Sequence, residues 1–113
     1  MENLSKLPQL SFITVNHKQK LYIQTDKIVM MEGHNNYTLF HLENGKKKMF
    51  ARSIGHFQKQ LEENQFIRCH RAFLVNPAYI KSYDKSQCVL YLSNDLTASI
   101  SRRKHGNLGN IFN

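Results

Sequence analysis

The sequence predicts a mainly β domain carrying one short α-helix. Three observations lead there. Apolar residues fall in short clusters rich in β-branched and aromatic side chains, which suit a pleated, half-buried surface. Turn-forming Asn, Asp, Gly and Pro separate those clusters. One segment instead repeats its apolar residues at helical spacing, in Ile54, Phe57 and Leu61.

Taken in order, Leu10 to Val15 reads as a strand, Asn16-His17-Lys18-Gln19 as a polar link, and Leu21 to Ile23 as the returning arm of a hairpin. Thr25-Asp26-Lys27 is a brief turn in which Thr25 or Asp26 is available as a helix cap. Ile28 to Glu32 is an apolar run and Tyr37 to Leu42 a further strand. Glu43-Asn44-Gly45 makes a hairpin turn, since Asn and Gly tolerate positive φ, and Lys48 to Ala51 returns from it. The helix is expected from Ser53 or Ile54 to Glu63, with Ser53 as N-cap and the apolar stripe facing the core. Phe66 to Cys69 and Phe73 to Val75 are strands, ended by Asn76-Pro77 because proline lacks a donor N–H. Ile80 to Tyr83, Gln87 to Leu92 and Leu96 to Ile100 complete the β pattern around a Ser93-Asn94-Asp95 turn. Ser101 to Phe112 reads as a fraying end or one short helical turn.

At 113 residues the chain has room for a single domain, residues 1–113 with its core over about 10–105. No apolar stretch approaches the roughly 20 residues of a membrane helix, and the N-terminus lacks the pattern of a secretory signal. The expectation is a soluble, cytoplasmic protein without a membrane partner. Cys69 and Cys88 sit in apolar contexts and read as buried free thiols. Catalytic motifs are missing: no Gly-rich phosphate loop, nucleophile elbow or paired-histidine metal motif occurs. Adjacent Cys69 and His70 would point to opposite faces of a strand and could not easily share a metal. The reading is a non-enzyme with no cofactor and no metal.

Charge points to a partner. Sixteen Lys and Arg against eight Asp and Glu give +8, which favours a polyanion through counterion release. Residues 65–113 hold seven of the basic residues against Asp84 and Asp95, and Lys46-Lys47-Lys48 with Arg52 adds a local cluster. Three polar clusters border strands. In Gly33-His34-Asn35-Asn36-Tyr37, Asn can pair with adenine and Gly allows close approach, although alone this segment reads as an ordinary turn. Arg68-Cys69-His70-Arg71 contains a His-Arg pair that is hard to bury, and arginine is the commonest reader of guanine. Ser101-Arg102-Arg103-Lys104 ends the last strand. Taken alone it is equally a solvated tail.

Together these pieces resemble the LytTR DNA-binding domains. Phe66-Ile-Arg-Cys-His-Arg-Ala-Phe-Leu-Val-Asn76 is similar to that family's central signature. Ile28-Val-Met-Met-Glu-Gly-His-Asn-Asn-Tyr-Thr38, Ala51-Arg-Ser-Ile54 and Ala98-Ser-Ile-Ser-Arg-Arg103 match its flanking segments in order. The resemblance implies an elongated set of small antiparallel sheets with the helix packed alongside. It implies loops inserted into successive major grooves of promoter direct repeats by a bacterial transcriptional regulator. Carried onto this chain, the base-facing residues are Asn35, Asn36, Tyr37, Arg71, Ser101, Arg102 and Arg103. Phosphates would be met by Lys46, Lys47, Lys48, Arg52, His70 and Lys104, while His70 and Asn76 match positions with a partly structural role.

The chain departs from the family pattern in having Ala72 where serine is usual, which removes one possible phosphate donor. The implied partners are double-stranded DNA, a second copy on direct repeats, and a receiver domain or sensor kinase of a two-component system outside this chain. No receiver aspartate accompanies the segment, so a lone DNA-binding domain and the output part of a longer response regulator stay open. One rival is a β-rich RNA-binding module stacking bases on Tyr22, Tyr37, Phe40, Tyr79, Tyr83 or Tyr91. Another is a protein-interaction module, for which the basic clusters would be coincidental.

Overall fold

The computed structural model of the chain describes residues 11–102. Its strands form three antiparallel sheets. β1 (Phe12–Asn16) and β2 (Leu21–Gln24) make a two-stranded ribbon. The central sheet contains β3 (Ile28–His34), β4 (Tyr37–Leu42), β5 (Lys47–Phe50), β6 (Ile67–His70) and β7 (Phe73–Val75), ordered β5-β4-β3-β7-β6. The third sheet has β8 (Ile80–Asp84), β9 (Val89–Leu92) and β10 (Thr97–Ser99), ordered β10-β9-β8. Between β5 and β6 lies α1 (Ile54–Gln60).

The unbroken apolar run Ile28 to Met31 is explained by burial of β3 on both faces. A register shift between Ile28 and Met30 inserts a bulge, so strict alternation lapses there. Ile28 and Met31 join Ile13, Phe40, Phe57 and Leu74 in one core. Val29 and Met30 join Cys69, Val75, Leu90 and Ala98 in a second. The first core lies under α1 and the β1–β2 ribbon, and the second under the three-stranded sheet.

Local chemistry sets the boundaries. Ser53 caps α1, its Oγ accepting from the His56 N–H at 3.3 Å. The helix stops at Gln60, short of the expected Glu63. Leu61 N–H turns back to Gln58 O, and Gln65 takes φ 61°. Extending it would place Glu62 and Glu63 at the negative end of the helix dipole. Thr25 opens a single 3₁₀ turn rather than capping a helix, and its hydroxyl lies 2.6 Å from that of Ser11. β9 starts at Val89 because Cys88 holds φ 55°. Cys88 is accordingly only half-buried, in contrast to the expectation of two buried thiols, whereas Cys69 is fully buried. Gly45 (φ 87°) forms the expected β4–β5 turn, and Asn94 and Asp95 (φ 63° and 58°) form the β9–β10 turn.

Candidate nucleic-acid interface

The first polar cluster is the β3–β4 turn. Asn35 takes φ 57°, a conformation Asn tolerates better than most residues. Asn35, Asn36 and Tyr37 are all exposed. The base of the turn is held by Glu32, whose carboxylate oxygens lie 3.0 Å from Nε2 of His34 and 3.0 Å from Nε2 of buried His41. The acid nearest the loop in sequence therefore has both oxygens engaged.

The second cluster is the β6–β7 turn, where two arginines of the same motif have opposite duties. Half-buried Arg68 donates from Nε to His70 O at 3.0 Å, and from its terminal nitrogens to Gln58 Oε1 and Arg71 O. It thereby fixes the turn backbone to α1. Burial lowers its pKa from the usual guanidinium value. The Arg71 side chain is exposed, with no partner among the described residues. His70 Nδ1 accepts the Ala72 N–H at 3.0 Å, which requires an unprotonated Nδ1 and leaves Nε2 to carry the ring N–H. Asn76 is buried, donating to Ile28 O at 3.0 Å and accepting from Ala78 N–H at 3.1 Å. It is structural.

The third cluster follows β10. Ser101 is half-buried and Arg102 exposed. Arg103 and Lys104 lie outside the described residues, as does most of the expected C-terminal turn.

Two backbone hydrogen bonds bring these segments together. Gly33 N–H donates to Ala72 O at 2.8 Å, joining the first loop to the second. Ser101 N–H donates to Cys69 O at 2.9 Å, joining the third to the second. Gly33 suits the close approach, since a Cβ there would meet Ile54 Cγ2 at 3.2 Å. Three polar segments distant in sequence thus share one end of the central sheet.

The phosphate candidates divide. Arg52 belongs to the loop end, because its carbonyl accepts from Thr38 Oγ1 at 2.7 Å. β5 starts at the far end and runs back toward the loops, with its lysines in the far half: Lys48 pairs with Phe40 and Lys47 with His41, while Lys46 O meets the Leu42 N–H. At about 3.3 Å per residue, Lys48 stands about 13 Å and Lys46 about 20 Å behind the loop tip. The structure does not bring the three lysines to the loops.

Aromatic residues give little platform for unpaired bases. Phe40 is buried and Tyr83 half-buried. The half-buried Tyr79 hydroxyl is held between Asp26 O and the Glu43 carboxylate. Tyr22, Tyr37 and Tyr91 are exposed but lie on three different sheets.

Residues 18–113 match the family described as the LytTr DNA-binding domain. The chain belongs to this LytTR family. A solved structure, the LytTr DNA-binding domain of a Bacillus cereus protein described as a methyl-accepting/DNA response regulator, superposes with a TM-score of 0.70. It is 21% identical, and the alignment covers 93% of this chain and 97% of that one. At that identity the likeness supports the LytTR fold, and the family match supplies the DNA-binding assignment. No curated protein sequence matches the chain at a significant level.

Sequence reasoning did not find Glu32 and Arg68 as positioning residues. Glu32 stands two and nine places from the histidines it holds, a pattern readable only once β3 and β4 are paired. Arg68 and Arg71 carry the same side chain. Only the β6–β7 pairing distinguishes the one turned inward from the one turned out.

Proposed function

We propose that this LytTR domain is the DNA-reading part of a bacterial transcriptional regulator and binds duplex DNA sequence-specifically. The observation that carries this reading is the convergence of three loops, joined through Gly33–Ala72 and Cys69–Ser101, on one end where Glu32 has both carboxylate oxygens paired with histidines. Loops set side by side suit successive major grooves, each about 8.5 Å deep. Asn36, Arg71 and Arg102 supply the main base contacts: an Asn amide fits adenine N6 and N7, and a guanidinium fits guanine O6 and N7. Asn35, Tyr37 and Ser101 stand beside them, and Arg103 follows Arg102 in the sequence.

A loop sunk to the groove floor brings the rim phosphates to roughly 8 Å behind its tip. In this reading Arg52 and His70 Nε2 meet those phosphates, with Lys104 following the third loop in sequence. Lys48 reaches their margin, and Lys46 and Lys47 add mainly to the long-range field that speeds encounter. The domain works as the output of a two-component system in the cytoplasm, pairs with a second copy on direct repeats, and answers to a receiver domain or sensor kinase. Competition among duplex DNA, single-stranded DNA and structured RNA tests the proposal. It requires duplex DNA to win, and a preference for RNA or single strands would overturn it.

A further inference from the structure

Beside the loop end, a cleft of about 780 Å³ opens between the tip of the β1–β2 ribbon and the segment joining β5 to α1. Its lining includes His17, Lys18, Arg52 and His56, and among the described residues no carboxylate lines it. Val15 and Phe50 supply apolar wall.

The cleft has fixed walls. Gln60 on α1 accepts from Thr14 N–H at 2.9 Å and donates to Thr14 O at 3.1 Å, so its amide acts as a strand partner for β1. The ribbon tip is set by Asn16, whose Oδ1 accepts from Gln19 N–H at 3.0 Å, and by Lys20 at φ 53°. These contacts hold Lys18 and His17 across the opening from Arg52 and His56. An ammonium and a guanidinium face it, and each imidazole offers at least one N–H donor in any protonation state.

Arg52 belongs to both places: its carbonyl is tied to Thr38 beside the first loop, and its residue lines the cleft. A polyanion lying on the loops and leaving past Arg52 meets this opening next. We propose that the cleft is a second DNA contact, which takes the phosphodiester backbone of the duplex flanking the sequence-read site. This rests on the duplex-binding reading above. Arg52 keeps its phosphate at the edge of the read site, Lys18 pairs with a phosphate of the flank, His17 and His56 donate N–H bonds there, and Val15 and Phe50 meet deoxyribose carbons. A cleft this large and open exceeds what one small anion fills, whereas a continuous strand spans it.

The test uses two duplexes, a minimal site and the same site lengthened by about one helical turn (10–10.5 bp) on each side. The chain is compared with the double variant Lys18→Glu, His56→Gln, both substitutions being at exposed positions. The parent should bind the longer duplex more tightly. One extra cation–phosphate contact, from Lys18, would steepen its log K against log[salt] slope by about 0.9, so the gain shrinks about threefold between 50 and 200 mM salt. The variant should bind the minimal duplex like the parent, keep its far-UV spectrum and lose the gain. Equal affinity of the parent for both duplexes, or a variant that keeps the full gain, overturns the inference. A variant weakened equally on both duplexes overturns the flanking assignment, and failure of the parent to bind either duplex overturns the duplex reading itself.

Discussion

Arg68→Met separates positioning from contact, because methionine keeps an apolar stem and removes the guanidinium. Three hydrogen bonds disappear, to His70 O, Gln58 Oε1 and Arg71 O. At about 0.5–1.5 kcal/mol net each, the loss is roughly 2–3 kcal/mol. For a domain of this size that lowers Tm by roughly 8–24 °C, at about 4–8 °C per kcal/mol. The protein remains largely folded at 25 °C, yet the β6–β7 turn loses its brace. Freeing one or two residues costs about 1–2 kcal/mol each in backbone entropy on binding. Part of that is spared, since Ala72 stays bonded to His70 and to Gly33. Affinity for the preferred duplex should therefore fall about tenfold with base preference and salt slope unchanged. Thermal unfolding and anisotropy titrations on single-base variants of the site measure both effects. Parent-like stability combined with an altered base preference would refute the reasoning, because Arg68 would then be touching DNA.

Arg71→Ala should leave stability within about 0.5 kcal/mol, cost about 1–3 kcal/mol on the preferred site, and relax preference at one base pair. An even loss across all site variants would make Arg71 a phosphate clamp. Arg52→Ala should weaken every duplex alike and reduce the salt slope by about 0.9, as titrations at several salt concentrations will show. Gly45→Ala should cost about 1 kcal/mol by thermal unfolding with DNA affinity unchanged, since φ is 87° there although the space is open. Burial, and then its hydrogen bond to the Glu43 carboxylate, push the Tyr79 phenol up to about 12 from 10.0. The folded state then holds this proton more tightly than the unfolded state. Stability from Tyr79 is complete below pH 10 and is lost as pH rises toward 12, so Tyr79→Phe should flatten that limb of the stability–pH curve.

Much of the fold was legible because local chemistry and tertiary structure agree. Ser53 caps α1, Asn44-Gly45 turns β4 into β5, and Asn76-Pro77 ends β7, as their side chains dictate. Legibility failed where a backbone detail overrides a side-chain pattern. The left-handed Cys88 shortens β9 and lifts its thiol out of the core, and the carboxylates after Gln60 cut the helix short. The loop residues Asn35, Asn36, Tyr37 and Arg71 could be chosen from motif chemistry, and the structure places their two loops side by side. The position of the lysine run was not legible because composition records charge without place: it stands at the start of β5, the end remote from the loops. Glu32, Arg68 and the cleft beneath the ribbon depend on pairings between remote segments.

The central claim is that one loop end reads duplex sequence. Selection of bound molecules from a random duplex library, followed by titration of the selected site against scrambled duplex, tests it directly. The account predicts a defined motif bound at least about 10³-fold more tightly than scrambled DNA at physiological salt, with the preference at one position lost in Arg71→Ala. Recovery of no motif, or equal affinity for selected and scrambled duplexes, would contradict it.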